Sequence, residues 1–254
     1  MRLINKKGPT PQEVENPYWL SFSDIMAGLL AIFILTLVTL MIQLYQQIAD
    51  QKDVKRKVEN ALSEMSQIDE KRKDLLVEIK DSLQKRGIYV EIQENYSVIR
   101  IPDDQLYFKS GKHNVPKKLE KLVDQLGTVL EEALNKKGRM EYVDTIFIEG
   151  HTDSRPFNKQ EMGNWGLSSY RAIAIWKFWT EEPGNQISFT KLKNKNNKNV
   201  FSVSGYADTR RVEIEENSEL KRKKNRRIDL RFTMKIPVAD DLKNILDEFK
   251  RAGS

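Results

Sequence analysis

From Ile25 to Ile42 the chain reads IMAGLLAIFILTLVTLMI, eighteen residues without a charge. At 1.5 Å per residue a helix of that length covers about 27 Å, close to the roughly 30 Å hydrocarbon core of a bilayer. Tyr18 and Trp19 precede the run and Tyr45 follows it, positions where amphipathic rings favour the membrane interface. The polar residues from Gln43 onward offer no small-residue cleavage site, so 17–45 reads as an uncleaved transmembrane helix. Farther on, Val54, Val58, Ala61, Met65, Ile68, Leu75 and Ile79 follow steps of four and three, interrupted at Arg72, among Lys, Glu, Asp and Gln. This heptad seam predicts a helical coiled-coil stalk over 46–86 that pairs two chains. One amphipathic helix lying on its own domain shows the same spacing.

After Gly87 the period changes. Ile88–Gln93 and Val98–Ile101 alternate as strands that can pair around Glu94–Asn95. Pro116 opens a helical stretch with Leu119, Leu122, Val123, Leu126 and Leu130 on one face. Thr145–Glu149, Val200–Ser204 and Ile228–Met234 read as strands, Ser168–Thr180 as a helix, and a C-terminal helix is expected from about Val238. Strands alternating with helices predict an α+β sandwich over 87–236, with helices packed on a mixed sheet. Residues 1–16 form a tail and 237–254 the last helix. The stretch KLKNKNNKN at 191–199 reads as a solvated loop.

Composition narrows the chemistry. There are no cysteines, which removes disulfides, iron–sulfur clusters and thiol catalysis, and only two histidines, His113 and His151, which removes a multi-histidine metal site. Lys plus Arg exceed Asp plus Glu by 43 − 37 = 6, an excess compatible with anionic lipid, nucleic acid or wall polymer as partners. Basic residues flank the span on both sides, Arg2, Lys6 and Lys7 before it and Lys52, Lys55, Arg56 and Lys57 after it. Charge alone therefore does not orient the span.

Asp24 stands at the edge of the apolar run, behind Trp19, Leu20 and Phe22. On a helix Ala27, Gly28 and Ala31 share its face, a small-residue stripe that lets other helices approach closely. A carboxylate facing packed helices is a candidate ion or proton carrier. An N-terminal cap at the membrane surface is the alternative.

Residues 148–171 read IEGHTDSRPFNKQEMGNWGLSSYR, which places strand, loop and helix in order. An acid and an arginine at such a junction, Asp153 and Arg171, can face one another across a shallow pocket. Asp153 would hold an ammonium and Arg171 a carboxylate, so an amino-acid head fits the pair. A plain salt bridge between the two is equally compatible with the spacing.

GHTD followed by SRP, then NWGLSSYRA, then Asn225-Arg226-Arg227-Ile228-Asp229-Leu230, resembles the peptidoglycan-binding domain of the OmpA/MotB family. Tyr107-Phe108-Lys109-Ser110-Gly111 is similar to that family's approach to its first helix. With Pro17-Tyr18-Trp19-Leu20-Ser21-Phe22-Ser23-Asp24-Ile25-Met26 at the other end, the architecture resembles MotB-type stator subunits, flagellar or of the Zorya anti-phage type. The resemblance covers roughly residues 17–45 and 88–234.

It implies that Asp24 takes up and releases the driving ion, H⁺ or Na⁺. Asp153 and Arg171 are implied to bind the diaminopimelate of peptidoglycan, with Thr152, Asn164, Leu167, Ser168 and Arg227 shaping the pocket. It further implies a homodimer surrounded by polytopic MotA/ZorA-like subunits, five per dimer, in the bacterial inner membrane. The N-terminus is then cytoplasmic and the C-terminal domain periplasmic. Ala27-Gly28 after Met26, where flagellar proteins often carry Thr or Ser, and the absence of a separate plug helix favour the defence-type motor over the flagellar one. A passive wall anchor without ion conduction is the remaining alternative.

Neither a cofactor nor an enzymatic activity is expected. His151, Asp153 and Ser168 hold the ingredients of a hydrolase triad, but His151 and Asp153 flank one residue and no nucleophile elbow is present. The basic run Lys221–Arg227 lacks the aromatic platform of a nucleic-acid site, so no nucleic-acid partner is expected.

Overall fold

The computed structural model describes residues 17–109, 111–136, 138–158, 162–181, 187 and 189–235. The expected tail over 1–16 and the expected helix over 237–254 lie outside the described residues. Those described divide into two units, one ending at Glu59 and one running from Asn60 onward.

A single helix, α1 (Pro17–Lys85), runs without interruption through both the expected span and the expected stalk. It is the one helix among the described residues long and apolar enough to cross a membrane. The polar hydroxyls inside the apolar run are satisfied locally: Thr36 and Thr39 donate to the carbonyls of Ile32 and Leu35, each at 2.8 Å. Such back-bonding removes the cost of bare hydroxyl groups in hydrocarbon. The large side chains of the run, from Phe22 to Leu44, are exposed in the isolated chain.

In the second unit the helix behaves differently. Leu75, Leu76, Ile79 and Leu83 are buried in the chain's own core, at 0–2% exposure. The end of the expected two-chain seam is therefore an intramolecular face. Heptad spacing marks which stripe is apolar and says nothing of what covers it. Glu78 reinforces the docking through ion pairs with Lys136 and Arg139 beyond the next helix, and Arg86 reaches Glu132 at 2.9 Å. The helix stops at Gly87, whose φ of 78° is open to glycine at little cost. There the Ile88 N–H donates to Leu83 O and the Gly87 N–H to Gln84 O, both at 3.0 Å. Ile88 and Leu83, the apolar pair that accompanies this kind of stop, are both buried.

The sheet has five strands: β1 (Glu91–Gln93), β2 (Val98–Pro102), β3 (Val143–His151), β4 (Phe201–Gly205) and β5 (Arg227–Met234), in the spatial order β1-β2-β5-β3-β4. Only the β3–β4 pair is parallel, so the sheet is mixed as expected. The β1–β2 connection is wider than the two residues expected, with Glu94, Asn95 and Tyr96 all at positive φ. Three helices lie between strands: α2 (Glu120–Leu134), α3 (Gly163–Glu181) and the short α4 (Glu219–Asn225), the last not anticipated as an element of its own. Ser218 caps α4 by accepting from the Lys221 N–H. The solvated loop expected at 191–199 is partly ordered, because buried Asn194 accepts from two backbone N–H groups and donates to Asp144 O.

Period-two alternation sorts the sheet into two faces. Ile99, Ile101, Ile146, Ile148, Ile228, Leu230 and Phe232 join the core with α2, α3 and the end of α1. Arg100, Glu149, His151, Arg227, Asp229 and Arg231 occupy the alternate positions, and there Arg100 and Arg227 pair with Asp229 and Arg231 with Glu149. Between parallel β3 and β4 the chain crosses over through α3, so the loop leaving β3 opens at the carboxyl end of the sheet, where ligand sites of such units form.

Candidate functional site

Two glycines allow α3 to dock where it does. A Cβ on Gly150 of β3 would stand 2.0 Å from the Ser168 carbonyl oxygen, and one on Gly205 of β4 would stand 2.5 Å from the Ser169 nitrogen. Backbone atoms cannot yield as a flexible side chain would, so the first turns of α3 lie on the strands only because both positions lack a side chain. Ser168, fully buried, fastens the contact: its hydroxyl donates to Trp165 O and accepts the Ala207 N–H, each at 3.0 Å.

This docking presents the loop after β3 beside the second turn of α3. Asn164 donates to Asp153 O at 3.3 Å and to Arg155 O at 3.0 Å, which holds the loop in shape. Around it lies a cavity of about 700 Å³, whose lining includes Thr152, Asp153, Asn164, Leu167 and Arg171. Five of the seven expected pocket residues thus meet in one place.

Ser168 and Arg227 are not among the residues that line that cavity. Ser168 points into the α3–sheet joint. Arg227 begins β5, and alternation sends its side chain to the polar face, where Nε donates to Asp229 at 2.9 Å and Nη2 to Arg210 O. The preceding Arg226, at the end of α4 and outside the strand, is the member of the pair that reaches the cavity.

The electrostatics also differ from a bare Asp153–Arg171 pair. The Asp153 carboxylate accepts from Arg155 Nη2 at 2.6 Å and Arg226 Nη1 at 2.7 Å, with further bonds from the Arg155 N–H and Nε. Burial pushes this carboxyl up, but the bonds from Arg155 and Arg226 outweigh it and hold it below the usual range. Asp103, paired with Arg226 at 3.1 Å, is raised because its burial prevails over that bond. Arg171 is 4% exposed, lies over the Phe108 ring and donates through Nε to Lys112 O. Burial brings its pKa down to about 10, against the pull of Asp103 and Asp153, so it stays cationic at neutral pH. Its side chain also lines the cavity. Thr152 Oγ1 is buried without a partner.

Arg155, Arg226, Asp103 and Glu219 were not singled out from the sequence. Arg155 follows Asp153 by two residues and was visible in the SRP string. Arg226 and Glu219 stand at the two ends of α4 and Asp103 follows β2, and only the fold brings them to the loop after β3.

On the polar face of the sheet, Glu149, His151 and Asp229 gather ligand-type atoms within 4.8 Å. Their chemistry does not suit a cation. Arg231 holds Glu149 at 2.8 and 3.0 Å, and Arg100 and Arg227 hold both oxygens of Asp229. A metal there would meet three guanidinium groups. His151 Nε2 lies 3.6 Å from Asp229, yet burial first and Arg227 second bring its pKa down to about 3. The imidazole is therefore neutral, the contact is not an ion pair, and both ring nitrogens lack partners. His151, Asp153 and Ser168 do not assemble as a triad, since each faces a different surrounding.

Comparison with known proteins matches this geometry to a family. Residues 107–189 match the model of the OmpA family. Among solved structures the fold is similar to a MotB-like protein from Desulfovibrio vulgaris, at 17% identity and a TM-score of 0.50 over 67% of this chain and 98% of that one. The periplasmic domain of Helicobacter pylori MotB is 18% identical, with a TM-score of 0.48 over 68% and 94%. The cell wall anchor of the type VI secretion system from Pseudomonas aeruginosa is 22% identical, with a TM-score of 0.43 over 63% and 97%. No curated protein sequence matches. The matched segment carries Phe108, Thr152, Asp153, Asn164, Leu167 and Arg171, so the site lies in the part of the chain that is similar to the OmpA family, within an α+β domain that follows an apolar N-terminal helix.

Proposed function

We propose that this chain is the peptidoglycan-anchored B subunit of an ion-driven, stator-type membrane motor. The observation that carries the anchoring half is the cavity at the β3–α3 junction, which both an acid, Asp153, and a guanidinium, Arg171, line. An amino-acid head presents an ammonium and a carboxylate on one carbon. The carboxylate suits the planar fork of Arg171, and the ammonium suits Asp153. Phe108 and Leu167 offer apolar surface to the methylenes between them. The diaminopimelate of a peptidoglycan stem peptide has this character.

The motor half rests on Asp24 and its small-residue stripe at the edge of an apolar helix. Two copies bring two such carboxylates together inside a ring of five polytopic subunits. One elementary charge crossing 100 mV supplies about 2.3 kcal/mol. With the outer domain held on the wall, that energy turns the ring rather than this chain. Anchoring requires the domain on the periplasmic side of the inner membrane and residues 1–16 in the cytoplasm. Within the stator class we favour the defence branch, from Ala27-Gly28 and from the continuity of α1, which leaves no separate plug helix between span and domain. Neighbouring helicase and nuclease genes, rather than flagellar ones, are the expected setting.

The test uses full-length protein in detergent and purified peptidoglycan sacculi. Asp153→Asn and Arg171→Ala should each abolish co-sedimentation, and retained binding in both would refute the pocket assignment. Asp24→Asn should assemble normally and lose ion-dependent function. Full function in that variant would remove the carrier role of Asp24.

A further inference from the structure

The carboxylate assigned to a ligand's ammonium is already occupied from within the chain. Arg155 sits two residues past Asp153 on the loop, with its side chain 56% exposed, and takes both oxygens of the acid. Arg226 takes one of the same oxygens from the other side, but it is only 11% exposed and is also held by Asp103 and Glu219. Of the two, Arg155 is the one free to leave. A second acceptor stands next to it: Arg155 Nη1 is 3.5 Å from Glu219 Oε2 on α4, an oxygen that also accepts from Arg222 Nε at 3.1 Å, and both Arg155 and Glu219 line the cavity.

We propose that Arg155 is an intramolecular stand-in for the ligand's ammonium, that Glu219 receives it when a ligand enters, and that this exchange sets the specificity of the pocket. The proposal rests on the reading of the cavity as an amino-acid-head site. A ligand bearing only a carboxylate can engage Arg171 but has nothing to replace Arg155 on Asp153. A simple amine can replace Arg155 but gains nothing from Arg171, so it pays the cost of breaking a charge-assisted pair without return. Only a head carrying both groups gains on both sides. Arg155 thereby discriminates against bare amines, which are the natural competitors for an acid that lines a cavity.

The experiment measures binding by full-length protein in detergent to three soluble probes: diaminopimelate, cadaverine (both amines, no carboxylate) and pimelate (both carboxylates, no amine). Arg155→Met keeps an unbranched apolar stem in place of the exposed side chain and removes its charge. It should tighten diaminopimelate about tenfold, the effect of one charge-assisted bond no longer broken. It should also admit cadaverine, which the wild type excludes, and leave pimelate unchanged. Glu219→Gln should weaken diaminopimelate binding in the wild-type background and have no effect in the Arg155→Met background, a coupling that a merely structural role for Glu219 would not produce. Unchanged or weaker diaminopimelate binding in Arg155→Met overturns the stand-in. Asp153→Asn separates the two levels. If it loses diaminopimelate while Arg155→Met changes nothing, the stand-in fails and the pocket survives. If it binds like wild type, the pocket reading falls and the stand-in with it.

Discussion

At the scale of single residues, the polar face of the sheet shows how neighbours decide protonation. His151 is 1% exposed and lies among Arg227, Arg100 and Arg210, with Asp229 in opposition. Its folded pKa of about 3 lies below the ordinary 6.5, so as pH falls below 6.5 the unfolded chain takes up a proton that the native state refuses. Stability then falls with acidification through the window from 6.5 toward 3, by at most about 1.4 kcal/mol per pH unit. The depressed carboxylates Asp153 and Asp229 add their own loss only below about pH 4, the unfolded value for such groups. A urea series between pH 7 and 5 should show this slope, and His151→Gln should flatten it. A wild-type midpoint constant across that range would contradict a neutral buried imidazole. Ser168 belongs to this scale too. Ser168→Ala strands the buried Ala207 N–H and should cost about 1–3 kcal/mol while leaving the cavity wall chemically intact.

At the scale of elements, the site depends on how closely α3 sits on β3 and β4. Gly150→Ala would place a methyl group against the Ser168 carbonyl, and the helix must move or the strand must bend. Overpacking of this kind costs about 1–3 kcal/mol or more, and it should displace Asn164 and Arg171 together. Loss of wall binding beyond the loss of stability, measured on protein that remains folded, is the expected signature. The end of α1 gives a second test. Leu76 is fully buried in the domain core, so Leu76→Ala should destabilise the domain by about 2–5 kcal/mol. A residue serving only a two-chain seam would instead change the oligomeric state and leave domain stability near wild type.

At the scale of the whole molecule, the proposed wall-binding residues and the proposed ion carrier belong to separate units of the chain. Each function should therefore fail alone. Asp153→Asn should insert in the membrane normally and lose the wall, whereas Asp24→Asn should hold sacculi with wild-type affinity. Membrane insertion read by alkaline extraction and wall binding read by sedimentation distinguish the two. A variant losing both would point to misfolding.

What the sequence by itself determined is what local periodicity and residue type can encode: the uncharged span, the strands and helices of the domain, and the strand–loop–helix motif carrying Asp153 and Arg171. Hydrophobic period reports which face of an element is apolar, because burial of that face is the dominant favourable term in folding. It does not report the partner of that face, so the seam at Leu75 and Ile79 read the same whether a second chain or the chain's own sheet covers it. The side of the sheet reached by Arg226 against Arg227 depended on where β5 begins, a one-residue matter that reverses the direction of every side chain. The occupation of Asp153 by Arg226, and the position of Glu219 beside Arg155, were decided only by the tertiary structure, because those groups come from elements far apart in sequence and electrostatic pairing acts through space.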